Sequence, residues 1–306
     1  MKQLIKSATV YHAELPNATA LRDHFNNDLF LEPLSLQAIS MGFAPSPELG
    51  GLVDEFTGGL AFHVRIDQKL LPGSIVKAEV NKVAKQVEVD TGRKPGKKER
   101  AEIKETLMVE MLEHALVRTT VVTCYHHTTT NFLIIPTTNK KLAQQIVSLL
   151  VNSVGSVKTT TINVADVKGG LTARLKQWLD GDAEAFSGLS PVNEVQLEQD
   201  GRKVSVRMSD LENAGAALKE ALASSFTVKA LGLHFEGGLT IGGGLDLKLT
   251  DGFQLRGIEG PALIVEDEDA KDITFAAQAT LEVNDLANAI TFLCEMFGYQ
   301  EAEVAA

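Results

Sequence analysis

Apolar and polar positions alternate along Ser7–Leu15 closely enough to predict a strand, and Pro16-Asn17-Ala18-Thr19 supplies a turn and the start of a helix over Ala20–Asn26. Met41-Gly42-Phe43-Ala44-Pro45-Ser46-Pro47 reads as a turn-rich loop, and Gly59–Ile66 as a strand closed by Lys69-Leu70-Leu71-Pro72. From Ser74 to Val89 the spacing changes, with Ile75, Val76, Val80, Val83 and Val87 on adjoining faces of a helix. Thr91–Gly96 then holds two glycines and a proline, which forbid a continuous helix. A second helix is predicted over Lys97–Arg118, with Ile103, Leu107, Met111, Ala115 and Leu116 as its buried positions. The two helices make an antiparallel hairpin that projects its turn away from the body.

Thr119–Tyr125 and Asn131–Ile135 are β-rich, and Thr138-Asn139 suits the N-cap of a helix over Lys140–Val151. A strand over Ile273–Glu282, then Asn284 and a helix over Leu286–Phe297, repeats that arrangement and hints at two related α+β halves. Between them lie an amphipathic helix over Leu171–Leu179, a hairpin over Glu194–Val206 turning at Asp200-Gly201, and a helix over Leu211–Ala223. Strands over Leu231–Phe235, Gly238–Ile241, Leu245–Leu249 and Phe253–Ile258 follow, separated by glycine-rich turns. The order is mixed, not a regular βαβα alternation, so the expected class is α+β with mixed antiparallel sheets and a projecting helical hairpin. Four parts are expected: an N-terminal α+β part over 1–73, the hairpin over 74–118, a central α+β part over 119–180 and a C-terminal α+β part over 181–306.

Length and composition change this picture little. A chain of 306 residues, 44% hydrophobic and 23% charged, is ordinary for a globular protein with a sizeable core. Two cysteines, Cys124 and Cys294, lie far apart without a C-x-x-C, the pattern of a reducing compartment. His12 and Glu14 interrupt any signal-like apolar run, and no stretch is long and apolar enough to span a bilayer, so the expectation is a cytoplasmic protein with no membrane partner.

Charge changes it more. The formal net charge is -11, yet Lys77–Lys104 carries nine Lys or Arg against five Asp or Glu, a local +4 that leaves -15 for the remainder. Where positive charge is concentrated matters more for a polyanionic partner than the sum does. Gly92-Arg93-Lys94-Pro95-Gly96-Lys97-Lys98 resembles a phosphate loop only superficially. It has one residue too few between the glycines, no Ser or Thr after the lysines, and a charged helix before it. Cations converging on a hairpin turn suit contact with nucleic-acid phosphates, although a solvated lysine-rich turn is the commoner meaning of such a run.

Other clusters carry less. Cys124, His126 and His127, with His114 upstream, do not have zinc-ligand spacing, and strand alternation sends His126 and His127 to opposite faces. Cys124 reads as a small buried apolar residue. Glu266-Asp267-Glu268-Asp269, with Asp272 beyond, is the only dense carboxylate run and the only candidate for holding Mg²⁺ in a nuclease. Its contiguity fits an exposed acidic loop better.

Several motifs, taken in order, are similar to those of the RdgC family of bacterial recombination-associated proteins over essentially the whole length. They are Met41-Gly42-Phe43-Ala44-Pro45, Lys69-Leu70-Leu71-Pro72, Gly92–Glu99, Ala115–Thr120, Leu149–Ser156, Gln177-Trp178-Leu179 and Asp200–Leu211. The resemblance implies an α+β fold that dimerises into a closed ring with a positively charged hole. It also implies duplex DNA binding without sequence preference, a nucleoid association, and restraint of RecA-promoted strand exchange. No cofactor and no catalytic residue are implied. The DNA-binding residues expected from the turn and from the resemblance together are Arg93, Lys94, Lys97, Lys98, Arg100, Lys104, Arg118 and Arg207, with Thr120 at a dimer interface. Three departures mark a divergent member. Thr120 stands where the family has Phe, Met208 where it has Lys, and Gln254-Leu255-Arg256-Gly257 where it has a basic stretch. The alternative expectation is a metal-dependent DNA exonuclease using Glu266, Asp267 and Asp269.

Overall fold

The computed structural model describes residues 3–155, 157–162, 167–186, 188–207, 211–237, 244–260 and 271–298. These fall into two compact units. The first comprises Met1–Phe25, Pro45–Phe62 and Thr123–Ala306, and the second comprises Asn26–Ala44 and His63–Val122. Strands β4 (Gly59–Lys69) and β5 (Val117–His127) contribute residues to both.

In the first unit the sheet is antiparallel. The order runs from the end of β5 through β6 (Phe132–Ile135), β1 (Ser7–Ala13), β12 (Gln254–Glu259), β11 (Leu245–Thr250) and β10 (Thr227–Phe235) to β8 (Leu189–Gln199) and β9 (Arg202–Arg207). β7 (Thr159–Thr161) also pairs with β1, and β3 (Val53–Phe56) pairs with the start of β4. The β8–β9 hairpin turns at Asp200 and Gly201, both at positive φ, as a tight two-residue connection requires. On one face α5 (Val167–Leu179), α6 (Leu211–Ala223) and α7 (Lys271–Met296) cover the strands. Leu175, Leu222, Phe275 and Ile290 from these helices share one core with Leu197, Leu231, Leu247 and Leu255 from the sheet. β6 is an unbroken apolar run, Phe132-Leu133-Ile134-Ile135, and all four residues are buried. That is the signature of a strand covered on both faces.

Helix α1 (Ala18–Phe25) packs against α4 (Lys140–Val154), and the Phe25 and Phe62 rings lie 5.4 Å apart. Asn139 caps α4 as expected, its side-chain oxygen accepting from the amides of Lys141 and Leu142.

In the second unit β2 (Ile39–Ala44) runs antiparallel to β4, with Met41 opposite Ile66 and Phe43 opposite Val64. The loop expected at Met41–Pro47 is therefore a strand as far as Ala44. Gly42 makes this possible: a Cβ there would meet Phe30 Cα at 2.5 Å, where the Asp28–Phe30 segment crosses and bonds Phe43. Helices α2 (Gly73–Thr91) and α3 (Lys97–Glu113) form the expected hairpin, α2 being about 28 Å long at 1.5 Å per residue. Gly92, at φ 72°, ends α2 with its amide on the Glu88 carbonyl.

Two other expectations fail. The second hairpin helix stops at Glu113 instead of running to Arg118, because Val117-Arg118-Thr119-Thr120-Val121-Val122 is a β-branched stretch that enters β5. No residue of α3 is buried, so Ile103, Leu107 and Met111 are only half-covered, and Leu116 is 77% exposed. The strand expected at Ile273–Glu282 is helical, and Asn284 sits inside α7 instead of capping it. Its amide donates to the carbonyls of Thr280 and Thr57. A buried helix is apolar on most sides, which erased the periodicity that distinguishes it from a strand. With it goes the suggestion of two related halves. The strand expected at Gly238–Ile241 lies outside the described residues. Replacing Asn139 with Ala is expected to cost about 1 kcal/mol of stability, read as a lower denaturation midpoint at unchanged slope.

Candidate nucleic-acid interface

The hairpin turn is closed by one carboxylate. Glu99, in the first turn of α3, accepts the Gly96 amide at 2.8 Å, the reciprocal half of a capping box. It also takes both terminal nitrogens of Arg93, at 2.8 and 2.6 Å. The Arg93 guanidinium, and then the Gly96 amide, push the Glu99 carboxyl down to about 2. Pro95 is buried within the turn.

This clamp sorts the expected contact residues. Arg93 is engaged by Glu99, and Arg100 donates to the Asn81 side chain across on α2. Lys94, Lys97, Lys98 and Lys104 are exposed and have no partner among the described residues. Three of these four lysines lie within five residues of the turn. Arg118 is exposed on β5, beyond the helix in which it was expected. Thr120 is exposed on the same strand, where all of Val117–Val121 is exposed, with Val117 at 46% and Val121 at 41%.

Arg207 belongs to the first unit, at the end of β9 and opposite Glu194 on β8. It is exposed and without an ion pair among the described residues. Here the structure adds residues that the sequence did not single out. On the uncovered side of β8–β12, Lys140, Lys203, Lys229 and Arg256 line a groove of about 480 Å³ with Gln196 and Gln254. Lys229 is paired with Asp251 at 2.9 Å, and Arg256 donates to Gln254 at 3.2 Å. Lys203 was legible, since the Asp200-Gly201 turn places Lys203, Ser205 and Arg207 opposite Glu198, Gln196 and Glu194. Lys229 and Arg256 are brought together by the order β10-β11-β12, and Lys140 joins them from the start of α4. Glu266, Asp267 and Asp269 lie outside the described residues, as does Met208.

Charge is divided unequally. The second unit holds 12 Lys and Arg against 11 Asp and Glu, a net of +1. The first unit therefore carries 17 against 29, a net of -12.

Residues 4–300 match the family described as "Putative exonuclease, RdgC". The chain belongs to the RdgC family. The recombination-associated protein RdgC of Cupriavidus necator is 24% identical over 276 residues, 88% of each chain. That of Cupriavidus pinatubonensis is 23% identical over 295 residues, 92% of this chain and 93% of its own. That of Herminiimonas arsenicoxydans is 26% identical over 206 residues, 66% and 67% of the two chains. Identity this low along nearly the full length fits a divergent RdgC-family member. The family description names a nuclease, whereas the relatives' names refer to recombination.

A nuclease of the metal-dependent kind needs converging acids. Among the described residues no group of three or more His, Cys, Asp or Glu is placed to hold a metal ion. Cys124, His126 and His127 all lie on β5 and are buried. Burial raises the Cys124 thiol well above its usual range. His126 bonds the Ala13 carbonyl through Nε2 at 2.9 Å, and His127 bonds Thr130 and Asn284. These are structural histidines of an RdgC-family fold. Burial pushes His126 down from 6.5 to about 4, against the bond to Ala13. Because that folded value is depressed, the stability His126 contributes is present above pH 6.5 and is lost as pH falls toward 4. The loss is on the order of 3 kcal/mol. His127, lowered by burial, acts in the same sense, and Glu282, raised by burial, in the opposite one. Denaturation series between pH 4 and 7 should therefore show a flatter profile for His126→Gln than for the parent. Equal slopes would sink the assignment.

Proposed function

We propose that the chain binds duplex DNA without sequence preference and modulates homologous recombination by limiting RecA-promoted strand exchange, as a non-catalytic homodimer that encircles the duplex. The observation that carries this reading is the set of free lysines at the hairpin turn, Lys94, Lys97 and Lys98, on a unit of net +1 in a chain whose other unit carries net -12. Lysines on a solvated helix start meet phosphate oxygens and release counterions, which gives affinity with no base information. Lys104, Arg118 and Arg207 extend the contact set, and Lys203 and Lys140 join it. Arg93 and Arg100 serve chiefly to hold the turn. A role in recombination is supported by the names of the relatives, and a cytoplasmic, nucleoid-associated location follows from that role. No described helix is long and apolar enough to cross a membrane. Dimerisation is supported by the exposed Val117 and Val121 that flank Thr120 on β5, apolar surface of the kind that associates.

Reversing two charges, Lys97→Glu with Lys98→Glu, is expected to weaken duplex binding about equally for all sequences. It should also reduce the slope of log affinity against log salt by about 2. Glu99→Gln, which releases Arg93, should strengthen binding. Affinity and slope that do not move in the charge-reversed protein would remove the turn from the interface.

The family description keeps a second reading in view, an exonuclease using Mg²⁺ at Glu266, Asp267 and Asp269. Linear duplex incubated with the protein and Mg²⁺ decides between them. Intact DNA is expected, and shortening from the ends that stops with Asp267→Asn would establish the enzyme.

A further inference from the structure

The second unit contains a groove with two chemically different ends. It lies between α2 and α3, encloses about 770 Å³, and its floor includes Val76, Val80, Met108 and Leu112. Along α3 the residues facing it recur every four positions: Arg100, Lys104, Met108, Leu112. Side chains at that spacing share one face of a helix. The stripe is therefore cationic near the hairpin turn and apolar near the hairpin base. α2 runs the other way and matches it, because Asn81 is bonded to Arg100 and precedes the turn, while Gly73 and the Leu70-Leu71-Pro72 segment lie at the base. Lys77 stands on α2 beside the cationic end.

Among the described residues no carboxylate lines this groove. Lys77 and Lys104 have no partner among the described residues. A third ammonium, that of Lys69, is only 8% exposed and borders the groove at its base. It donates to the backbone carbonyls of Leu34 and Ser35 and has no carboxylate partner among the described residues. Its ammonium is satisfied by those carbonyls and lies by the apolar end, so it is not part of the cationic stripe. The apolar part is open too, with Met108 at 37% and Leu70 at 44% exposure.

We propose that this groove docks a protein segment with acidic residues at one end and apolar anchors at the other. The apolar end would lie over Met108, Leu112 and Val76, and the acids would meet Lys77, Lys104 and Arg100. A polynucleotide fits less well, because its uniform phosphate charge leaves half the groove without a complement. Two antiparallel helices with paired apolar turns make the usual receptor for an amphipathic segment. The inference does not depend on DNA binding at the turn, although Lys104 is common to both.

The test uses the full chain and a fluorescein-labelled peptide, Asp-Asp-Asp-Gly-Leu-Leu-Phe, followed by fluorescence polarisation. Controls are the same residues in alternating order and a peptide with Ser for each Asp. The block peptide should bind best. Met108→Ser and Lys77→Ser should each weaken it by about tenfold, while duplex affinity and the thermal midpoint stay unchanged. Equal binding of all three peptides, or binding indifferent to both substitutions, overturns the proposal. If the substitutions weaken duplex DNA as much as peptide, the groove belongs to the nucleic-acid surface. If they dissociate a dimer in sedimentation, a second copy of the chain occupies it. Either outcome also overturns the proposal.

Discussion

A helix that buries none of its residues has to be held by its ends and by one neighbour, and α3 is in that position. Its start is held by the Glu99 carboxylate, which takes the Gly96 amide and the Arg93 guanidinium together. Its length rests on α2, where Val76, Val80 and Ala84 are the buried residues. Because Glu99 uses one cation for this purpose, the remaining lysines of the turn stay free to face solvent. The clamp and the charge display are thus parts of one local solution. Glu99 is also the acid that offsets Lys97, Lys98 and Arg100 at a helix start, the end where the backbone dipole disfavours cations.

The acidic net charge of the chain follows the same logic on a larger scale. Concentrating the negative excess in the unit of net -12 leaves the hairpin unit close to neutral overall and locally positive at its turn. In the first unit the opposed charges on the uncovered strand face are largely paired, Lys248 with Glu194 and Lys229 with Asp251. Lys203 and Arg207 on that face, and Lys140 at the start of α4, have no ion pair among the described residues, and Arg256 bonds only the neutral Gln254. Of the positions where charge is lost, Gln254 lines the groove on this face. Gln254 itself is buried and spends its amide on the Thr138 carbonyl.

Where reading by pattern went astray, a tertiary neighbour was responsible. Gly42 and Pro45 looked like loop punctuation, but the glycine is there to let Phe30 cross a strand. Ile273–Glu282 looked like a strand because burial on most sides removed the polar positions that would have shown a period of 3.6. Glu282, at the end of that expected strand, is buried and accepts the amides of Leu4 and Ile5. The helix that should have reached Arg118 stopped at Glu113, since the β-branched run after Leu116 has a strand to join.

By itself the sequence determined the α+β class, the helical hairpin with its basic turn, the Asn139 cap and the β8–β9 turn. Each is set by residues close together in the chain: two glycines and a proline, an Asn before a helix, an Asp-Gly pair. Membership of the RdgC family was legible in the same way, as short motifs in order. Tertiary structure alone decided which cations are free, because only packing sets Glu99 on Arg93 and Asn81 on Arg100. It also decided that Lys140, at the start of α4, meets Lys229 and Arg256, since α4 follows β6 and β6 reaches β12 only through β1, by pairings more than a hundred residues apart in sequence. And it made the apolar positions of α3 one wall of an open groove. A helical period says which residues share a face, but only the neighbouring element says whether that face is covered.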